Sequence, residues 1–250
     1  MIAVTSGSSA AFVLGFLTLF DLGDKVAISS PSYPCYINIL TALGIEVLEI
    51  EAKEDHNFQL SKNLIETLPD DVKGLIVSSP ANPTGAVINR EEFFEISKLC
   101  KNRNIKLVSD EIYHGINYDT GNLFSALNFD KDAIVINSFS KYFSMTGWRL
   151  GWIIMPEDGI ESLSKLAMNM YLSPSYVSQC AAKRVFEDYK ILNSYVNQYR
   201  INRDILLNGL KKAGIDKFTF PRGAFYIYAD ISHLHNDSEK FCNKMLHEAG

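Results

Sequence analysis

The sequence predicts an α/β fold: a doubly wound, mostly parallel sheet with helices on both faces, followed by the start of a small α+β domain. Three observations predict it. Short apolar, β-branched runs alternate with helical stretches. The runs are apolar throughout instead of alternating, as strands covered on both faces must be. Polar residues gather where the runs end, the side of such a sheet on which ligands bind. Residues 1–190 are expected to form a large domain, and 191–250 a connecting helix with an incomplete small C-terminal domain.

Ile2-Ala3-Val4-Thr5 is a short strand, Ser6-Gly7-Ser8-Ser9 a tight polar turn, and Ala10 to Phe20 an apolar helix. A strand, a Gly/Ser turn and a helix start together make an anion site, because free amides and the positive end of the dipole both favour a phosphate. The same residues would also suit an ordinary N-cap at Ser8 or Ser9. Lys25 to Ile28 is a strand. After it, Pro31 and Pro34 stiffen a loop that holds Tyr33 and Tyr36, either of which could pack or offer its face to a flat ring. A helix over Ile37 to Leu43 closes at Gly44, Glu46 to Ile50 is a strand, and Ser61 caps a helix reaching Leu68.

Gly74 to Ser78 is a buried strand running into Ser79-Pro80-Ala81-Asn82-Pro83-Thr84-Gly85. An Asn before Pro is barred from helix, so Asn82 points its amide from a rigid turn. Arg90 to Asn104 is an amphipathic helix. Ile105 to Ser109 is the next strand, ending at Asp110-Glu111-Ile112-Tyr113-His114. Ala133 to Asn137 delivers Ser138 and Lys141; a Gly147-Trp148-Arg149 turn and a second apolar run to Met155 follow. A lysine between apolar strands is either desolvated, and then a usable amine nucleophile, or an ordinary loop lysine in solvent. Arg149 is a fixed cation suited to a phosphate. Beyond Met155, helices are expected over 160–172, 176–189, 191–213 and 239–248, with strands at 218–220 and 224–229 around Pro221-Arg222-Gly223.

The bulk composition narrows the partners. A net charge of −5 with no basic stripe argues against nucleic acid. No apolar window is long enough to span a bilayer, so no membrane association is expected. Cys35, Cys100, Cys180 and Cys242 are scattered with no paired spacing, which fits a reducing, cytoplasmic setting and gives no reason to expect a metal. No signal peptide, repeat or low-complexity segment is evident. Both ends read as cut, the first inside a strand and the last at a helix end.

A phosphate cradle, a stacking aromatic, an Asn donor, a strand-end Asp, a lysine and an arginine describe a pocket for a flat phosphorylated aldehyde such as pyridoxal 5'-phosphate. Ser140-Lys141 followed by Gly147-Trp148-Arg149-Leu150-Gly151 resembles the lysine signature of the class I/II aminotransferases, pyridoxal phosphate enzymes of fold type I. Ser79 to Gly85, Ser109-Asp110-Glu111-Ile112-Tyr113, Val4-Thr5-Ser6-Gly7 and Gly223-Ala224-Phe225-Tyr226 are similar to further family motifs, in the expected order. The resemblance covers nearly the whole chain.

It implies roles residue by residue. Lys141 would carry the cofactor as a Schiff base and, once freed, move a proton at the substrate α-carbon. Asp110 would pair with the pyridine nitrogen. Tyr113 and Asn82 would hydrogen-bond the phenolic oxygen, Tyr33 would stack on the ring, and the Gly7 turn with Ser8, Ser9, Ser138 and Arg149 would hold the phosphate. Tyr36 and His114 are expected to pack or face solvent. The implied reaction is amino-group transfer between an amino acid and a 2-oxo acid in a homodimer. A C–S lyase or β-elimination enzyme, or a non-catalytic cofactor-sensing module of a regulator, would use the same cofactor residues. The family's carboxylate-binding arginine and its segment before the phosphate turn match nothing in this sequence, so a fragment with impaired turnover is expected.

Overall fold

The computed structural model describes residues 1–54, 57–119 and 124–250. The described residues form a seven-stranded sheet with strands β1 (Ile2–Thr5), β2 (Lys25–Ser30), β3 (Glu46–Glu51), β4 (Val72–Ser78), β5 (Lys106–Asp110), β6 (Ile134–Ser138) and β7 (Gly151–Ile154). Their order is β1-β7-β6-β5-β4-β2-β3. The β3–β2–β4–β5–β6 block is parallel, and β7 runs antiparallel between β6 and β1. The expected mostly parallel, doubly wound sheet is what forms.

The absence of hydropathic alternation in the strands has a direct cause. Leu75, Val77, Leu107 and Val135 point to one face, where Phe93, Ile96 and Cys100 of α4 (Arg90–Asn102) cover them. Their neighbours Ile76, Val108, Ile134 and Ile136 point to the other, under Phe12, Leu14 and Phe16 of α1 (Ser8–Leu19). Successive side chains alternate faces, and both faces are dry, so every position must be apolar.

Several boundaries differ from the sequence expectation. Helix α1 begins at Ser8, and its N-cap is Gly7 with no side-chain cap bond, so neither Ser8 nor Ser9 serves as the cap. Helix α2 (Cys35–Ala42) begins directly after Pro34, whose fixed φ suits a helix start. In α3 (Lys62–Glu66), Ser61 caps as expected, accepting from the Leu64 amide. Helix α5 (Glu157–Met170) begins right after Pro156, with Glu157 and Asp158 in its first turn complementing the dipole. Helices α6 (Tyr176–Val185), α7 (Tyr189–Lys212) and α8 (Ser238–Ala249) follow.

The strands expected at 218–220 and 224–229 do not form; two isolated bridges, Phe218 to Ala229 and Gly223 to Asn117, stand in this segment. The backbone bonds go elsewhere. The amides of Arg222 and Gly223 donate to the Gly85 carbonyl at 2.9 and 3.0 Å, and the Ala224 amide to Ile116 at 2.9 Å. Residues 222–224 are thereby pinned across the Asn82 turn instead of extending a ladder. No helix among the described residues is long and apolar enough to cross a membrane.

Candidate active site

A cavity of about 160 Å³ opens at the carboxyl ends of the parallel strands. Ser8, Ser9, Tyr33, Asn82, Asp110, Tyr113, Lys141 and Arg149 all line it, brought together from separate stretches of chain. A larger cavity of about 880 Å³ lies at the opposite ends of the strands, around Met1, Lys106 and Pro156. It holds none of the predicted residues and mixes both charge signs, so size does not mark the chemistry here.

One end of the smaller cavity is built for an anion. Gly7 adopts φ 87, which an L side chain rarely does, and a Cβ there would sit 2.5 Å from Arg149 Nη2. The missing side chain lets the guanidinium close over the turn. Arg149 is itself left-handed, at φ 52, where it ends a 3-10 turn over Thr146–Trp148, and its Nη1 donates to the Thr146 carbonyl at 3.0 Å. Gly151 extends the same economy: a Cβ would meet the Ser8 amide nitrogen at 3.0 Å and the Asn137 carbonyl at 2.8 Å. The N-terminus of α1 and a cation therefore converge on one point.

The other end is built around a buried carboxyl. Asp110, the last residue of β5, is 3 % exposed. Its Oδ2 accepts from the Tyr36 hydroxyl and its Oδ1 from the Ile112 amide at 3.0 Å. Burial pushes this carboxyl up to about 6; the Tyr36 and Ile112 hydrogen bonds and the charge on His114 oppose the shift.

Lys141 stands between the two ends, partly buried. Burial holds its amine below the ordinary lysine range, Asp110 opposes that shift, and Arg149 adds to it. Its Nζ lies 5.7 Å from the Tyr113 ring centre and 5.5 Å from that of Phe225. The Tyr113 hydroxyl is 2.5 Å from that of Tyr226, and burial pushes the Tyr113 phenol far above its usual range. Tyr33 meets Tyr36 edge-on at 5.6 Å.

Gly7 and Ser138 differ from the other predicted residues in lying behind the cavity wall. Ser138 is buried, and its hydroxyl accepts from the Ser140 amide at 2.9 Å, which shapes the loop that presents Lys141. Conversely, Phe12, Tyr36, Ile112, Ser140, Thr146 and Tyr226 line the cavity although the sequence reading assigned none of them to it. Tyr36 does pack, against Phe12 at 5.2 Å, but its hydroxyl is spent on Asp110. Its place at the start of α2, after the prolines of the Tyr33 loop, was the available signal. For Tyr226 the signal was the Gly223-Ala224-Phe225-Tyr226 motif. His114 faces the Asn82 turn and not the cavity.

Comparison with known proteins adds an independent line. The family model described as Aminotransferase class I and II matches residues 1–250. The chain is 43% identical over 252 residues to a valine–pyruvate aminotransferase of Mycobacterium tuberculosis, covering 100% of this chain and 65% of the relative. It is 35% identical to an aspartate aminotransferase of Thermotoga maritima, covering 99% of this chain and 65% of that one. A crystal structure of an aminotransferase from Mycobacterium tuberculosis superposes with a TM-score of 0.97 at 43% identity, over 100% of this chain and 65% of the other. The chain thus spans about 65% of the length of these relatives. Class I and II aminotransferases of this fold use pyridoxal phosphate. With motifs, fold and site geometry all in agreement, the chain belongs to the class I and II aminotransferase family.

Proposed function

We propose that this protein transfers an amino group between an amino acid and a 2-oxo acid, using pyridoxal 5'-phosphate held in the strand-end cavity. The observation that carries the reading is the convergence, in one cavity, of a desolvated lysine, a buried carboxyl and an anion-binding helix start backed by an arginine. The residues fit the group. The start of α1 with Ser8 and Ser9, and the Arg149 guanidinium that Gly7 lets close over the turn, suit its phosphate. Asp110 suits its ring nitrogen, Tyr33 its ring face, and Asn82 and Tyr113 its phenolic oxygen. When bound, pyridoxal phosphate supplies an aldehyde that takes an amine and a ring that accepts the electron pair left at a deprotonated carbon.

The chain's own residues do the rest. Lys141 Nζ is the amine that holds the group and the base that takes and returns the proton at the substrate α-carbon. Burial lowers the proton affinity of its amine, in the direction that favours the neutral form a base needs. Asp110, once ionised, keeps a proton on the ring nitrogen. Tyr226 orients the Tyr113 hydroxyl through the contact between their hydroxyls, and Ser138 holds the Lys141 loop in shape.

The name of the 43% identical relative supports valine as amino donor and pyruvate as acceptor. No observation favours β-elimination or a sensing module over transfer. A cytoplasmic homodimer completes the proposal. The four cysteines are free, which fits a reducing compartment. Exposed Met168, Met170, Leu172, Tyr176 and Val177 form an apolar run suited to a second copy. We further take 1–190 as the cofactor-binding unit and 191–250 as a connecting helix and part of a small domain.

The test is the stoichiometry of the reaction. With valine and pyruvate, the cofactor-loaded protein is expected to form alanine and the 2-oxo acid of valine in equal amounts. Lys141→Arg keeps the charge but not the base, and should slow transfer by about 10²–10⁴-fold. With cysteine in place of valine and no acceptor present, release of pyruvate, ammonia and sulfide would instead show elimination chemistry.

A further inference from the structure

The ladder between β4 and β5 ends at the Ser78–Asp110 pair. Beyond it one segment carries Asn82 and the other carries Tyr113, and both must face the same cavity. A side chain continues the connection where the ladder stops. His114 Nε2 lies 3.1 Å from the Ser79 carbonyl oxygen, and its Nδ1 3.1 Å from Glu111 Oε2.

Neither partner leaves the imidazole much choice. A carbonyl oxygen can only accept, so Nε2 carries a hydrogen. Glu111 is 4 % exposed. Its Oε1 accepts from the Ala126 amide and the Ser125 hydroxyl, each at 2.8 Å, and from the Ser109 hydroxyl at 3.3 Å. Three donors on one oxygen favour the ionised carboxylate, which leaves Nδ1 as the donor to Oε2. The Ser79 hydroxyl is also engaged, accepting from the Ile88 amide at 3.0 Å, so the Asn82 turn is held at its first residue from two sides.

We propose that His114 is a positioning residue, an imidazolium bridging the Glu111 carboxylate and the Ser79 carbonyl, which fixes the Asn82 turn relative to Asp110 and Tyr113. The proposal rests on the reading of the cavity as a pyridoxal phosphate site. The bridge ties together three elements that no backbone ladder joins at this level: the Asn82 turn, the turn after β5, and the 3-10 turn over Ala126–Asn128. Its positive charge also opposes the burial that raises the Asp110 carboxyl.

Nitrogen-15 NMR of the imidazoles in the wild-type protein tests the bridge directly; the His114 signals are assigned by their loss in His114→Gln. Both nitrogens are expected to be protonated at neutral pH, and Glu111→Gln should leave only one protonated. In parallel, the dissociation constant for pyridoxal phosphate in His114→Gln is expected to rise about ten-fold, the loss of one charge-assisted hydrogen bond. An unprotonated ring nitrogen in the wild type, or a His114→Gln constant within about two-fold of wild type, overturns the proposal. A wild-type protein that takes up no pyridoxal phosphate overturns the reading of the cavity itself, which separates the two failures.

Discussion

Asp110 is held at a cost that the cofactor-free protein should reveal. Its carboxyl is pushed from 3.8 up to about 6 by burial, despite two hydrogen bonds. A carboxyl raised on folding binds a proton more tightly in the native state than in the unfolded one. Stability should therefore be highest below about pH 4 as far as this group is concerned, fall as pH rises through 4 to 6, and level off above. The loss amounts to about 3 kcal/mol at 1.36 kcal/mol per pH unit. Asp110→Asn removes the charge, so denaturant titrations of the variant across this window should lack that decline, and the variant should be the more stable protein above pH 6. Equal pH slopes in both proteins would refute it. The place of Asp110 in the cavity was legible from its position at a strand end. Its partner Tyr36 was not, because a tyrosine behind two prolines reads equally well as packing until the fold brings α2 against β5.

At the scale of elements, the strands and helices that form the sheet and its two covers were legible because their apolar runs are long and uninterrupted. The stretch from Phe218 to Ala229 was not, although the helix after it was. Phe218 to Ala229 is rich in aromatic residues and reads as strand, but Pro221 cannot donate to a ladder and Gly85 and Ile116 capture the amides of residues 222–224. Long-range capture of this kind leaves no local signature. The junction of β1, α1 and β7 illustrates the converse, a feature legible as glycine alone. Gly7→Ala puts a methyl at φ 87 and within 2.5 Å of Arg149 Nη2. The backbone strain costs about 1–3 kcal/mol, and the guanidinium must leave the turn. Its thermal midpoint should drop, and its dissociation constant for pyridoxal phosphate should rise about ten-fold or more. A variant that binds the cofactor like the wild type would show that Arg149 and the turn act independently.

In the molecule as a whole, the carboxyl ends of the sheet serve one reaction class. Five strands ending in the same direction deliver an anion site, a carboxyl, an amide, two tyrosines and a lysine to one small cavity, and the chain's membership of the class I and II aminotransferases agrees with that geometry. Everything turns on Lys141 as the residue that takes the cofactor. The most direct measurement is borohydride treatment of the protein loaded with pyridoxal phosphate, followed by peptide mass mapping. A single phosphopyridoxyl group on Lys141, absent from Lys141→Ala, is the predicted result. A group on any other lysine, or none, would contradict the account.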